Sequence, residues 1–102
     1  MNNYQKGRQY EYRTINKLRE AGYTATRSAG SHGIYDVIAW NEHEVKFIQV
    51  KFNCYPTKSE IELFLGDKIP NNTIKEVWIY LKGKQPIILN QLEVSNGCKS
   101  IK

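Results

Sequence analysis

Long apolar runs are missing from this chain. No stretch approaches the roughly 20 residues needed to cross a bilayer, and the N-terminal MNNYQKGRQYEY lacks the apolar core of a secretory signal. A membrane role is therefore not expected, and a cytoplasmic setting is (the host cytoplasm if the source is a virus). Cysteine is scarce as well. Cys54 and Cys98 are the only two, and with His32 and His43 they form no zinc-ligand spacing. Two independent thiols in a reducing compartment are expected rather than a structural disulfide. Repeats, linkers and low-complexity segments are also absent. A chain of 102 residues, 40% hydrophobic and 25% charged, supports one folded domain over 1–102 with a single modest core.

Acidic residues are in the minority. Fifteen Lys+Arg against ten Asp+Glu leave a formal charge of +5, which favours a polyanionic partner without requiring one. The excess is concentrated early. Residues 1–33 carry Lys6, Arg8, Arg13, Lys17, Arg19 and Arg27 against only Glu11 and Glu20. That cluster suits a phosphate-facing surface or an ordinary solvated helix face.

Periodicity predicts a helix from about Tyr4 to Ala21, stopped at Gly22. Gly7, Thr14, Ile15 and Leu18 gather on one side of it, and Glu11 falls among them. A carboxylate there needs a cation, a metal or hydrogen-bond donors, or a helix rotated enough to bring it to solvent or to a structural arginine. Tyr23–Ala29 reads as a first strand, and Gly30–Gly33 as a turn. Ile34–Trp40 and Glu44–Phe52 read as two strong strands joined by a tight loop at Asn41-Glu42-His43. After Pro56, Thr57 or Ser59 can cap a short helix over Lys58–Leu65 that ends at Gly66. Ile74–Leu81 is a further strand, Pro86–Leu92 an edge strand, and the tail from Ser95 is expected to fray. The predicted order is α-β-β-β-α-β-β, an α/β (α+β) fold with one central mixed sheet flanked by helices.

Chemistry concentrates at Asp36 and at Gln49-Val50-Lys51, on the two strongest strands. Strand parity puts Gln49 and Lys51 on one face. A loop centred on Glu42-His43 pairs residues whose numbers sum to 85, which sets Asp36 opposite Gln49 with Cβ atoms about 5 Å apart. Two such oxygens can share a divalent cation, and Glu11 is a candidate for a further ligand. Phosphodiester hydrolysis needs a nucleophile, relief of the charge that builds on phosphorus and protonation of the leaving oxygen. Mg²⁺ or Mn²⁺ held by carboxylates, waters and substrate serves all three. Asp36 would be the principal ligand, with the Gln49 amide oxygen and the Val50 carbonyl beside it. Lys51 would orient or deprotonate the attacking water and stabilise developing negative charge. Taken singly these residues have plainer readings: a strand-end lysine is usually solvated, and an aspartate near glycine is usually a turn residue.

Lys6-Gly7 with Glu11, Gly22-Tyr23, Arg27-Ser28-Ala29-Gly30-Ser31, Asp36 and Gln49-Val50-Lys51 occur in an order that resembles the archaeal-type Holliday-junction resolvases. These belong to the PD-(D/E)XK, restriction-endonuclease-like superfamily. The resemblance spans about residues 4–53. It implies a metal-dependent, homodimeric endonuclease that places paired nicks across a four-way DNA junction. It makes Glu11, Asp36 and Gln49 the acidic-cluster positions and Lys51 the catalytic lysine. It puts Ser31 near DNA and the active site and makes Arg27 a phosphate contact, with Lys6 and Arg8 extending that surface. His32, next to Ser31, is a candidate for phosphate contact or for tuning the metal site, although such a histidine is more often a plain loop residue. Trp40, Tyr55, Trp78 and Tyr80 suit a core or a dimer face better than base stacking.

Two departures stand out. The family pattern has glutamate where this chain has Gln49. The amide keeps an oxygen in place but removes a negative charge, costing roughly a few kcal/mol of attraction to a divalent cation at intermediate dielectric. Weaker metal affinity is expected, and with it a preference for Mn²⁺. The chain is also near the minimum length for the fold. Two alternatives remain open: a non-catalytic DNA-structure-binding protein, or a nuclease of the same fold acting on other DNA.

Overall fold

A computed structural model describes residues 3–28 and 34–96, with side chains from residue 7 onward. Helix α1 (Asn3–Glu20) comes first. It is followed by β1 (Thr24–Arg27), β2 (Val37–Trp40), β3 (Val45–Phe52), α2 (Lys58–Gly66), β4 (Thr73–Tyr80), β5 (Ile87–Asn90) and α3 (Gln91–Ser95). The strands form one sheet in sequence order, parallel between β3 and β4 and antiparallel elsewhere. The expected mixed sheet is therefore observed.

Alternation along the strands sends side chains to two separate cores. On one face Ile15 and Leu18 of α1 pack with Ala25, Val37, Ala39, Ile48, Trp78 and Tyr80. Burying a side chain the size of Ile15, Leu18, Val37 or Ile48 contributes about 1.5–3 kcal/mol. Thr14, buried on the same helix face, shares a 2.7 Å hydrogen bond with the Tyr80 hydroxyl, so its polar atom is satisfied. Helix α1 ends where Gly22 takes a φ of +96°, a conformation that costs glycine little. On the other face Phe64 of α2 packs with Val77, Ile79, Leu89 and Val94. Lys75, only 1% exposed, reaches across that core and donates to the carbonyls of Phe64 and Asp67 at the end of α2. Burial pushes its ammonium pKa down.

The hairpin register is the one the sequence specifies. Val37 pairs with Ile48, Ile38 with Phe47, Ala39 with Lys46 and Trp40 with Val45. Asn41 shapes the turn by accepting the N–H groups of His43 and Glu44 on its side-chain oxygen. The regular ladder stops at Val37, one residue short of Asp36.

One element differs from expectation. Leu92 does not extend an edge strand, because β5 ends at Asn90 and α3 begins there. Asn90 and Glu93 form a capping box: Asn90 accepts from the Glu93 N–H and Glu93 from the Asn90 N–H, each at 2.9 Å. Trp78 and Tyr80 are core residues, Tyr55 packs at the margin of the second cluster, and Trp40 remains 40% exposed.

Candidate active site

Beyond Val37 strand β2 leaves the ladder, and Asp36 occupies the gap. Its backbone is fixed on both sides: the N–H donates to the Ile48 carbonyl at 2.8 Å and the C=O accepts from Ser28 at 2.9 Å. Its side chain takes over a ladder bond, Oδ2 accepting the Val50 N–H at 2.8 Å. A strand residue's N–H and C=O point to the same side, so the Val50 carbonyl also faces this gap. The sequence reading set Asp36 squarely opposite Gln49. The structure keeps that register through Val37 and puts the aspartate one step past the ladder's end, on the amide that follows Gln49.

Gln49 is 5% exposed, and its Oε1 has no hydrogen-bond partner among the described residues. A buried amide oxygen left this way costs about 1–3 kcal/mol. Gln49 lines a cavity of about 480 Å³ together with Ile34, Asp36, Val50, Lys51, Glu60 and Leu63. Asp36, Gln49, Val50 and Lys51, expected to share one site, are thus gathered around one opening.

Glu60 is the residue that sequence reasoning missed. Its oxygens accept from Lys51 Nζ at 3.0 and 2.8 Å. It is the third residue of α2 and completes a capping box in which Thr57 Oγ1 accepts from the Glu60 N–H and Glu60 Oε1 from the Thr57 N–H. The Thr57-x-x-Glu60 spacing before an apolar run was the available signal. Asn53, at φ 60°, turns the chain between β3 and α2, with its N–H on the Tyr80 carbonyl.

The electrostatics follow from this enclosure. Burial pushes the Asp36 pKa up against the opposing Val50 hydrogen bond, and the charges of Glu11 and Glu60 push the same way while Lys51 opposes them. Burial also works against ionised Glu60, but the Lys51 ammonium and the Thr57 N–H outweigh it and hold its pKa below the ordinary value.

Glu11 lies elsewhere in detail. Its Oε1 accepts from Arg27 Nε at 2.8 Å, and it is not among the residues lining the cavity. The carboxylate on the apolar side of α1 has met an arginine, as one of its sequence readings allowed. Arg27 also lies 5.7 Å from the centre of the Tyr12 ring, and the Glu11 hydrogen bond raises its pKa. Arg8 is exposed on α1. The side chain of Lys6, and Ser31 and His32 altogether, lie outside the described residues.

Among the described residues no group of three or more His, Cys, Asp or Glu side chains forms a metal site. An amide and a backbone carbonyl fall outside such a grouping, and the donors here suit a hard cation that prefers oxygen ligands. A buried Gln49 oxygen that is unpartnered among the described residues, on a side chain lining one cavity with Asp36, fits that cation.

A mixed sheet with an aspartate at a strand opening and a Gln-Val-Lys run beside it is the arrangement expected of the restriction-endonuclease-like class. A family model described as archaeal Holliday junction resolvase (hjc) matches residues 2–65, and the chain belongs to that family. The solved structure of the Archaeoglobus fulgidus Hjc, a Holliday junction resolvase from an archaeal hyperthermophile, is similar over 85% of this chain and 74% of its own, with a TM-score of 0.73 and 23% identity. At that identity the likeness speaks for the fold. No curated protein matches the chain. By family the chain is a junction-resolving endonuclease with branched DNA as its substrate.

Proposed function

We propose that the chain is a Mg²⁺- or Mn²⁺-dependent endodeoxyribonuclease, one PD-(D/E)XK domain per subunit, acting as a homodimer in the cytoplasm to nick four-way junctions. The observation that carries the metal dependence is the buried Oε1 of Gln49, unpartnered among the described residues, on a side chain that lines the same cavity as Asp36. Asp36, the Gln49 oxygen and the Val50 carbonyl would hold the cation. When bound, it would polarise the scissile phosphate and lower the pKa of an attacking water.

The protein's own groups supply the rest. Asp36 is oriented by the Val50 N–H, which leaves its second oxygen for the cavity. Lys51, placed on the cavity wall by β3 and tethered by Glu60, orients the nucleophile and stabilises charge growing on the phosphate oxygens. Arg27, braced by Glu11 and Tyr12, together with Arg8 and Lys6, engages backbone phosphates away from the scissile bond, and Ser31 and His32 are assigned to DNA contact on the family resemblance alone. Glu11, held on Arg27, adds negative charge near Asp36 from outside the cavity. Two nicks related by a two-fold axis call for two copies of this site.

The test compares a labelled four-way junction with a matched linear duplex, each with Mg²⁺, with Mn²⁺ and with chelator. Junction nicking with either metal is expected, falling about 100-fold or more in Asp36→Ala and Lys51→Ala. Binding without cleavage under both metals would overturn the proposal. Equal cutting of junction and duplex would overturn its junction preference.

A further inference from the structure

The charges around the cavity do not suit a divalent cation if only the strand residues are counted. Asp36 is negative, Lys51 positive and Gln49 neutral, so the three sum to nothing where a doubly charged ion needs net attraction. Glu60 changes the sum. It reaches the same cavity from the first turn of α2, and both of its oxygens lie within 3.0 Å of Lys51 Nζ. The Thr57 N–H, on Oε1 at 2.8 Å, fixes the carboxylate in place. With Glu60 included the site carries one net negative charge, the same total as aspartate, lysine and a strand glutamate without it. Gln49, 5% exposed and with an oxygen unpartnered among the described residues, marks where a ligand is wanted.

We propose that Glu60 is the second acid of the cation site, supplying from the capping box of α2 the negative charge that position 49 of β3 lacks. The inference rests on the cavity being a cation site, and adds to it a residue of a different element. A purely structural role, capping α2 and tethering Lys51, makes a different set of expectations. Glu60→Gln separates them, because glutamine at the third helical position still closes a capping box and only the charge is lost.

Mn²⁺ alone is titrated into the intact protein, with free Mn²⁺ followed by its paramagnetic resonance signal, alongside melting temperatures in chelator. Wild-type protein is expected to bind Mn²⁺ and Asp36→Asn to lose that binding. Glu60→Gln is expected to weaken it by about tenfold or more, and Gln49→Glu in the Glu60→Gln background to restore it to within about threefold of wild type. Thr57→Ala, which opens the capping box but keeps the charge, is expected to bind within about threefold of wild type. Wild-type affinity in Glu60→Gln, no recovery in the double variant, or an equal loss in Thr57→Ala would each overturn the role of Glu60. Mn²⁺ binding that is absent, or indifferent to Asp36, would overturn the cation site itself.

Discussion

At position 49 an amide stands where the resemblance leads one to expect an acid, and among the described residues its oxygen has nothing to bond. Gln49→Glu restores the charge without changing the shape. Its Mg²⁺-dependent nicking of a junction is expected to equal or exceed wild type, and a clear loss would mean that the amide has a role of its own. Asp36 carries a second residue-scale prediction. Burial raises its folded pKa above the ordinary value of 3.8, so the native state keeps this proton to higher pH than the unfolded chain. Stability therefore falls as pH rises from about 3.8 through the folded value, and the penalty persists at neutral pH. In chelator at pH 7, Asp36→Asn, which still accepts the Val50 N–H, is expected to melt higher than wild type. That gain should vanish below about pH 3.8. An unchanged melting temperature at pH 7 would mean that Asp36 is not held against its charge. That Asp36, Gln49 and Lys51 gather around one cavity was legible from strand parity and hairpin register. The link of Glu60 to Lys51 was not: the Thr57-x-x-Glu60 spacing marks a helix cap, but Lys51 lies across the turn at Asn53, where neither strand nor helix periodicity carries information. Glu11 was legible as an acid needing a partner, but which cation it meets is a tertiary fact.

The elements around the site are held by their ends. Helix α2 is only nine residues long, too short to persist without caps and packing. It is closed at its start by the Thr57–Glu60 box and at its finish by Lys75. Thr57→Ala is expected to cost about 1 kcal/mol in chemical denaturation. Lys75→Met keeps much of the volume but strips the Phe64 and Asp67 carbonyls of their donor, and is expected to cost about 1–3 kcal/mol. A neutral outcome there would mean that those carbonyls find other partners. Most of this architecture was readable: α1, the hairpin and α2 fall within a few residues of expectation because apolar period and turn residues agree. Helix α3 was hidden. Its short apolar pattern continues that of β5, and only the Asn90-x-x-Glu93 spacing marks the change of element.

Across the whole molecule, the +5 charge and the basic early segment supply a non-specific attraction to DNA that must weaken with salt. Junction affinity is expected to fall by at least about tenfold between about 50 and 200 mM monovalent salt. A flat response would remove phosphate contact from the binding. Light scattering is expected to report twice the 11.9 kDa chain mass, since symmetric nicking needs paired sites. The most direct test of the whole scheme is an anomalous-scattering crystal structure of the protein soaked with Mn²⁺. One peak is expected within about 2.5 Å of an Asp36 carboxylate oxygen and of Gln49 Oε1. A peak elsewhere, with Gln49 Oε1 still unpartnered while the protein cleaves junctions in Mn²⁺, would contradict it.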